Sequence, residues 1–428
     1  MAGQRLGADF GKIFTANLSS SLADGIARTA VPLLAVQLTS DPLLISGIAA
    51  LQMVPWLLFA IPAGLIVDAV DRRKALAISN TLRTLLALTL FVMALTGTLS
   101  IWSLYVVIFL YGIGETVYDG AIRAVVPSIV PKPLLPTANG RIEAAENVVQ
   151  NFLAGPITSL LFAVTVLIPL GANALAFALA AVLALFLPRA ASGRQFALPK
   201  PTVREPWYRQ LGEGYRFIFG NRMLTTLLFL STFIGLMFSA ATATFVLFLI
   251  DHLGLPEAWF GVFALTAAAG GVLGSLLASV LTARFRAGPT MAVANIVASA
   301  PMALLFFFPN LWMAGAVWFV TSAAVLVWNV LVMSLRQSII PGRLLGRVHG
   351  SWRTILWGSM PIGSLLGGLI ARVDIELPFL VGGGLATFAG LVFFGFLRKL
   401  PNPEEVDNGD PPAVPVAEPG PTDPLVQD

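Results

Sequence analysis

Apolar runs of about twenty residues alternate along the chain with short polar connections. They lie near 13–38, 44–67, 76–96, 102–122, 143–167, 170–187, 223–250, 259–282, 289–308, 312–335, 351–371 and 378–397. A helix crosses the hydrocarbon core of a bilayer in about 20 residues. The pattern therefore predicts an all-α membrane protein with twelve transmembrane helices. Interior prolines such as Pro55, Pro62, Pro156 and Pro361 do not break that reading. Neighbouring helices and local kinks satisfy the backbone groups a proline leaves free.

Composition points the same way. Of 428 residues, 57% are hydrophobic and 11% charged, with a mean hydropathy of +0.84, against about 25% charged in a soluble domain. Without cysteine, disulfides and thiol chemistry are excluded. The two histidines, His252 and His349, lie too far apart in sequence to imply a metal cluster, so no metal or cofactor is expected. No phosphate-binding G-x-x-x-x-G-K-S/T occurs, and no catalytic constellation or folded soluble domain is visible, so an enzyme, a receptor or a nucleic-acid binder is not the expectation. The N-terminus, MAGQRLGADFGK, lacks the short apolar core and small-residue cleavage site of a signal peptide.

Charge sets the orientation. Nearly all of the 26 Lys and Arg fall in the even-numbered connections or near the termini, whereas the outer connections hold Arg372 alone and Arg28 lies within the first span. The positive-inside rule then places both termini in the cytoplasm of a cell that carries the chain as a multi-pass protein of its plasma membrane. A basic connection, 188–222, divides two sets of six spans, 1–187 and 223–400. The tail, 401–428, is rich in Pro, Asp and Glu, has no Lys or Arg, and is expected to be disordered.

The two sets echo each other. PKPLLPTANG (131–140) and PGRLLGRVHG (341–350) share Pro, the Leu pair and the final Gly in register, each after the fourth span of its set. Parallel six-helix halves around a central site are a transporter architecture.

The connection after the second span, GLIVDAVDRRKA (64–75), resembles the major facilitator superfamily signature G-x-x-x-D-x-x-G-R-R/K, matching it at Gly64, Asp68, Arg72 and Arg73, with Asp71 in place of the second Gly. That variant, with LPTANGRIEAAENVVQNFLAGP (135–156) and LADGIARTAVPLLAVQLT (22–39), looks like the branch of enterobactin exporters, macrolide efflux proteins and lysophospholipid transporters. The resemblance covers about 1–400. It implies the major facilitator fold, a monomer, and a cavity lined by helices one, four, seven and ten. It also implies an inner latch of Gly64, Asp68, Arg72 and Arg73, with Gly64 letting helices two and eleven approach. AGPITSLL in span five keeps only Gly155 and Pro156 of an antiporter signature.

Ionisable groups inside a bilayer are costly and face a cavity or a partner. Asp24 and Arg28 are at i and i+4 in span one; Glu115 and Asp119 repeat that spacing in span four, followed by Arg123. Asp24 and Arg28 either neutralise each other or serve transport. At 1.5 Å per residue, Asp119 lies near the cytoplasmic end with Arg123, within reach of Arg72, and joins the inner latch. Glu115 lies a turn deeper. It is either a buried acid bonded to Tyr118, Tyr111 or Asn147, or, like Asp24, a proton carrier. Further cavity candidates are Gln52, Asn147, Gln150, Asn151, Trp328 and Asn329, with Ser239, Thr242 and Thr244. The expected function is a secondary exporter that exchanges protons for an amphipathic organic molecule such as a drug, siderophore or metabolite. The alternatives are a lysophospholipid flippase or an uncoupled facilitator.

Overall fold

A computed structural model of the protein describes residues 6–131, 134–192 and 207–406. Among these, all regular structure is helical. The first half runs α1 (Gly7–Leu38), α2 (Pro42–Ala69), α3 (Arg72–Leu95), α4 (Ile101–Ile129), α5 (Leu135–Asn147), α6 (Ala154–Val164) and α7 (Leu167–Leu185). The amphipathic α8 (Trp207–Gly220) follows in the basic connection. The second half comprises α9 (Arg222–Thr242), α10 (Phe245–Leu247), α11 (Glu257–Phe285), α12 (Ala287–Phe307), α13 (Leu311–Ile339), α14 (Leu345–Ala371), α15 (Leu377–Val392) and α16 (Phe394–Leu397).

Among the described residues, ten helical segments are long and apolar enough to cross a membrane. Of the other two expected spans, α15 is a shorter apolar helix, and α1 buries Asn17, Ser20, Ser21 and Asp24 along its middle. Side-chain caps fix several helix starts. Asp41 accepts from the Leu43 amide at 3.0 Å, Asp71 from the Arg73 amide at 3.0 Å and Asn310 from the Met313 amide at 2.9 Å, each satisfying a donor the first turn leaves free. A π turn, Val148–Leu153, joins α5 to α6. It sits just before Pro156, whose missing N–H leaves the carbonyl four residues back without its usual donor.

Packing partners recur between the halves. In the first, α2 packs on α4, α3 on α7, and α1 on α6 and α7; in the second, α11 packs on α13, α12 on α15, and α9 on α14 and α15. Glycine makes the tightest approaches. A Cβ at Gly270 or Gly274 would stand 2.1 Å from a carbonyl oxygen of α13, and one at Gly363 or Gly367 2.2 or 2.0 Å from a carbonyl oxygen of α9. Small residues at such interfaces let backbones touch where no hydrophobic drive separates helix from lipid. Gly64 is different: it is exposed and a Cβ there would meet nothing within 4 Å. The close approach of α2 to α14 lies instead at Gly368, where a Cβ would stand 2.0 Å from the Ser46 hydroxyl.

The halves meet along α2–α14 and α6–α11. At the end of the bundle away from the start of α1, here the far face, three polar contacts cross between them. Arg372 donates to Asp41 at 2.8 and 2.5 Å, Gln37 to Glu257 at 3.1 Å, and Ser159 to the Ala258 carbonyl at 3.0 Å. The Ser159 hydroxyl also accepts from the Gly261 amide at 3.1 Å. These contacts close the far face. Toward the near face Arg123, Asn147 and Asn151 are exposed, and among the described residues no hydrogen bond or ion pair joins the halves there. Residues 407–428 of the expected disordered tail lie outside the described residues; Glu405 is tied to Arg286 at 2.7 Å.

Candidate functional site

A cavity of about 560 Å³ opens between the halves, lined mostly by α1, α2 and α4, with Trp357 and Met360 contributed by α14. Its volume falls within the range of about 300–1,000 Å³ typical of small-molecule sites. Most of the wall is apolar: Val31, Met53, Trp56, Leu90 and Ile108 stand beside Trp357 and Met360. Trp56 and Trp357 meet edge to face at 6.2 Å across the two halves. The polar positions are Asp24, Arg28, Gln52, Tyr111, Glu115 and Asn173.

Asp24 does not pair with Arg28. Its partner is Arg83, a residue of α3 whose side chain is 0% exposed and whose Nη1 donates to Asp24 Oδ1 at 3.0 Å. The Tyr111 hydroxyl donates to the same oxygen at 2.6 Å. Arg83 Nη2 also donates to Ser20 at 3.0 Å and to Asn80 at 2.5 Å. The guanidinium lies 4.5 Å from the ring centroids of both Tyr118 and Phe177. A buried charge needs a partner and hydrogen bonds for its remaining protons; this cluster supplies the partner and bonds both terminal nitrogens of Arg83, while its Nε has no partner. Arg83 adds an intramembrane charge in α3 to those of α1 and α4 and does not belong with the connection charges. The sequence signal for it was its place inside the apolar run 76–96, eleven residues after the start of α3.

Glu115 is half-buried on the cavity wall. The three partners considered for it are engaged elsewhere. Tyr111 donates to Asp24, Tyr118 to Asn17 at 3.1 Å, and Asn147 to the Glu143 carbonyl at 2.9 Å. Among the described residues no hydrogen bond or ion pair reaches Glu115. Arg28 is exposed and lines the same cavity, and no carboxylate lies within 4.0 Å of it among the described residues.

The other candidates separate. Gln52 lines the cavity. Asn147, the last residue of α5, and Asn151 are exposed near the near face and bonded to each other at 3.2 Å; Gln150 lies with Asn151 in the π turn. Trp328 is buried in the core of the second half, and Asn329 beside it is exposed. None of these five lines the cavity. Ser239 bonds the Met360 carbonyl and Ser364, both at 2.8 Å, as a packing contact of α9 on α14.

Among the described residues, the inner-latch contacts lie within the first half. Arg72 donates to the Ala124 carbonyl at 2.8 Å and to Ser128 at 3.2 Å, tying α3 to α4 rather than reaching Asp119. Arg73 pairs with Asp71 at 2.9 Å, and Asp119 with Arg123 at 3.4 Å. The Asp68 side chain lies outside the described residues.

The chain is 26% identical to the multidrug efflux pump Tap of Mycolicibacterium fortuitum, over 88% of this chain and 94% of that protein. It is 23% identical to macrolide efflux protein A of Streptococcus pyogenes, over 91% and 97%. Its fold matches a bacterial homologue of the iron transporter ferroportin in an inward-facing state, with a TM-score of 0.73, 15% identity, and coverage of 92% of this chain and 100% of that one. It also matches the nucleoside transporter NupG, with a TM-score of 0.68, 14% identity, and coverage of 92% and 100%. The family model described as "transmembrane secretion effector", MFS_3, matches residues 7–419. The chain belongs to that family of major facilitator transporters.

Proposed function

We propose that the protein is a proton-coupled exporter of amphipathic organic molecules, working by alternating access as a monomer in the plasma membrane. In this reading twelve helices span the bilayer and both termini are cytoplasmic. The closed far face is then external, and the cavity opens inward to collect substrate. The efflux function of the relatives named macrolide efflux protein A and Tap supports export. The contrast between two carboxylates in one cavity carries the coupling. Asp24 is held by Arg83 and Tyr111, whereas Glu115 has no partner of either kind among the described residues and faces the cavity. A carboxyl without a fixed partner takes up or releases a proton according to which side admits water. Glu115 is the proton carrier in this reading, and the Asp24 cluster holds α1, α3 and α4 together around it.

The test uses proteoliposomes with an imposed pH gradient and a panel of dyes, macrolides and siderophores. Gradient-driven accumulation of at least one compound is expected. Glu115→Gln abolishes it and spares downhill exchange. Equal loss of both would assign Glu115 to substrate binding or structure, and transport indifferent to the gradient would favour an uncoupled facilitator.

A further inference from the structure

Two ionisable side chains of opposite sign face the cavity without a hydrogen-bonded or ion-pair partner among the described residues. Arg28 on α1 and Glu115 on α4 both line it. They do not form an ion pair with each other within 4.0 Å, nor does either find another partner among the described residues. The third and fourth charges, Asp24 and Arg83, neutralise each other in the wall. What remains is an apolar chamber walled by Trp56, Trp357, Met53 and Met360, with Arg28 and Glu115 as the charged side chains that no hydrogen bond or ion pair holds among the described residues. An intramembrane charge is retained where it meets a partner. A site built to bond a charged group discriminates strongly against analogues lacking it, because its own group is then left unpaired.

We infer that the molecule this cavity binds is a zwitterionic amphiphile, with an apolar body against the wall that the tryptophans form, an anionic group on Arg28 and a cationic group on Glu115. The inference rests on the reading of this cavity as the transport site, but not on proton coupling. Arg28 forms charge-assisted bonds to a carboxylate, sulfonate or phosphate, and Glu115 to an amine; bonds of this kind are the strong ones. The Trp56–Trp357 pair, with Met53 and Met360, gives that body an apolar wall.

Four probes sharing a dansyl group separate the possibilities: Nε-dansyl-lysine (zwitterionic), dansylcadaverine (cationic), dansylglycine (anionic) and dansylamide (neutral). Binding to the full chain in lipid nanodiscs is measured by equilibrium dialysis against empty nanodiscs, without any gradient. The zwitterion is expected to bind about tenfold more tightly than either singly charged probe, a difference of about 1.4 kcal/mol. Arg28→Gln lowers it to the level of the cationic probe, Glu115→Gln to that of the anionic one, and Arg28→Lys keeps the preference. Equal binding of the cationic and zwitterionic probes overturns the inference. So does an unchanged order in Arg28→Gln, or the absence of binding by all four. The wild-type order needs no variant, so misfolding of one cannot hide the answer. If the order holds while no pH gradient drives transport, proton coupling fails and the zwitterion site stands.

Discussion

Arg83 Nη1 lies 3.0 Å from Asp24 Oδ1 and joins α3 to α1 in the interior of the first half. The guanidinium is wholly buried and the carboxylate nearly so, reaching only the cavity, so Arg83 has no water to fall back on. Removing one partner of such a pair destabilises by about 3–5 kcal/mol, because the other is left buried and uncompensated. Asp24→Asn and Arg83→Met should each lower the melting temperature of the purified protein markedly. The double variant should lose less than the two separate losses combined. Additive losses would show that the pair acts as two independent packing elements.

The far face is held partly by two glycines. A Cβ on Gly261 would stand 2.0 Å from the Gly155 carbonyl oxygen, a backbone atom that cannot swing aside. Gly261→Val should therefore force α6 and α11 apart and shift the protein toward a state open at the far face. The chain has no cysteine, so spin labels at Ser40→Cys and Val373→Cys report on that face alone; both positions are exposed. The label-to-label distance should lengthen by several ångströms in Gly261→Val. It should stay unchanged in Gly64→Ala, where a Cβ meets nothing within 4 Å. No lengthening would mean that α6 and α11 do not form the closing contact.

The same labels read the ion pair beside them. The hydrogen bond from Arg372, first among its causes, holds Asp41 below the usual carboxylate range. A depressed carboxylate stabilises the contact above its free value, about 3.9, and that contribution disappears as pH falls through the depressed value. The far face should thus be most firmly shut at neutral pH and loosen only below about pH 4. Both side chains are solvent-accessible, so salt should weaken the pair as well. In Arg372→Gln the labelled distance should lose this acid dependence. Persistence of the dependence would move it to His252 and Glu376, which lie 2.7 Å apart on the same face.

Hydropathy made the membrane helices legible, because a twenty-residue apolar run has few other uses. It also hid Arg83. In a run such as RRKALAISNTLRTLLALTLFVMAL one arginine hardly lowers the mean, and nothing local to the sequence shows that its partner is Asp24, on another helix. The i, i+4 spacing of Asp24 and Arg28 invited a pairing along one helix, but Asp24 turns into the bundle toward α3 while Arg28 faces the cavity. The latch residues resembled the family motif without revealing the conformational state. In this state Arg72 is spent on α4 carbonyl and hydroxyl groups. Asn147, Gln150 and Asn151 carried a polar signal that a position near the bundle's end explains as well as a cavity does.

Arg336 offers a counterpart to Arg83 in the second half. It is 6% exposed and lies 4.2 Å over the Trp352 ring, and its Nη2 meets His349 Nδ1 at 2.9 Å. No carboxylate lies within 4.0 Å of it among the described residues, and its Nε has no hydrogen-bond partner. The Nε of Arg83 is likewise unpartnered, so the contrast lies in the anion: replacing Arg83 orphans a buried carboxylate, and replacing Arg336 orphans none. Arg336→Met should therefore leave stability within about 1 kcal/mol of the parent or raise it. Trp352→Ala should cost about 3–5 kcal/mol through the cavity it opens. Thermal unfolding of Arg83→Met, Arg336→Met and Trp352→Ala, side by side, checks the order. If Arg336→Met proved as damaging as Arg83→Met, the His349 and Trp352 contacts would be compensating Arg336 as fully as a carboxylate compensates Arg83.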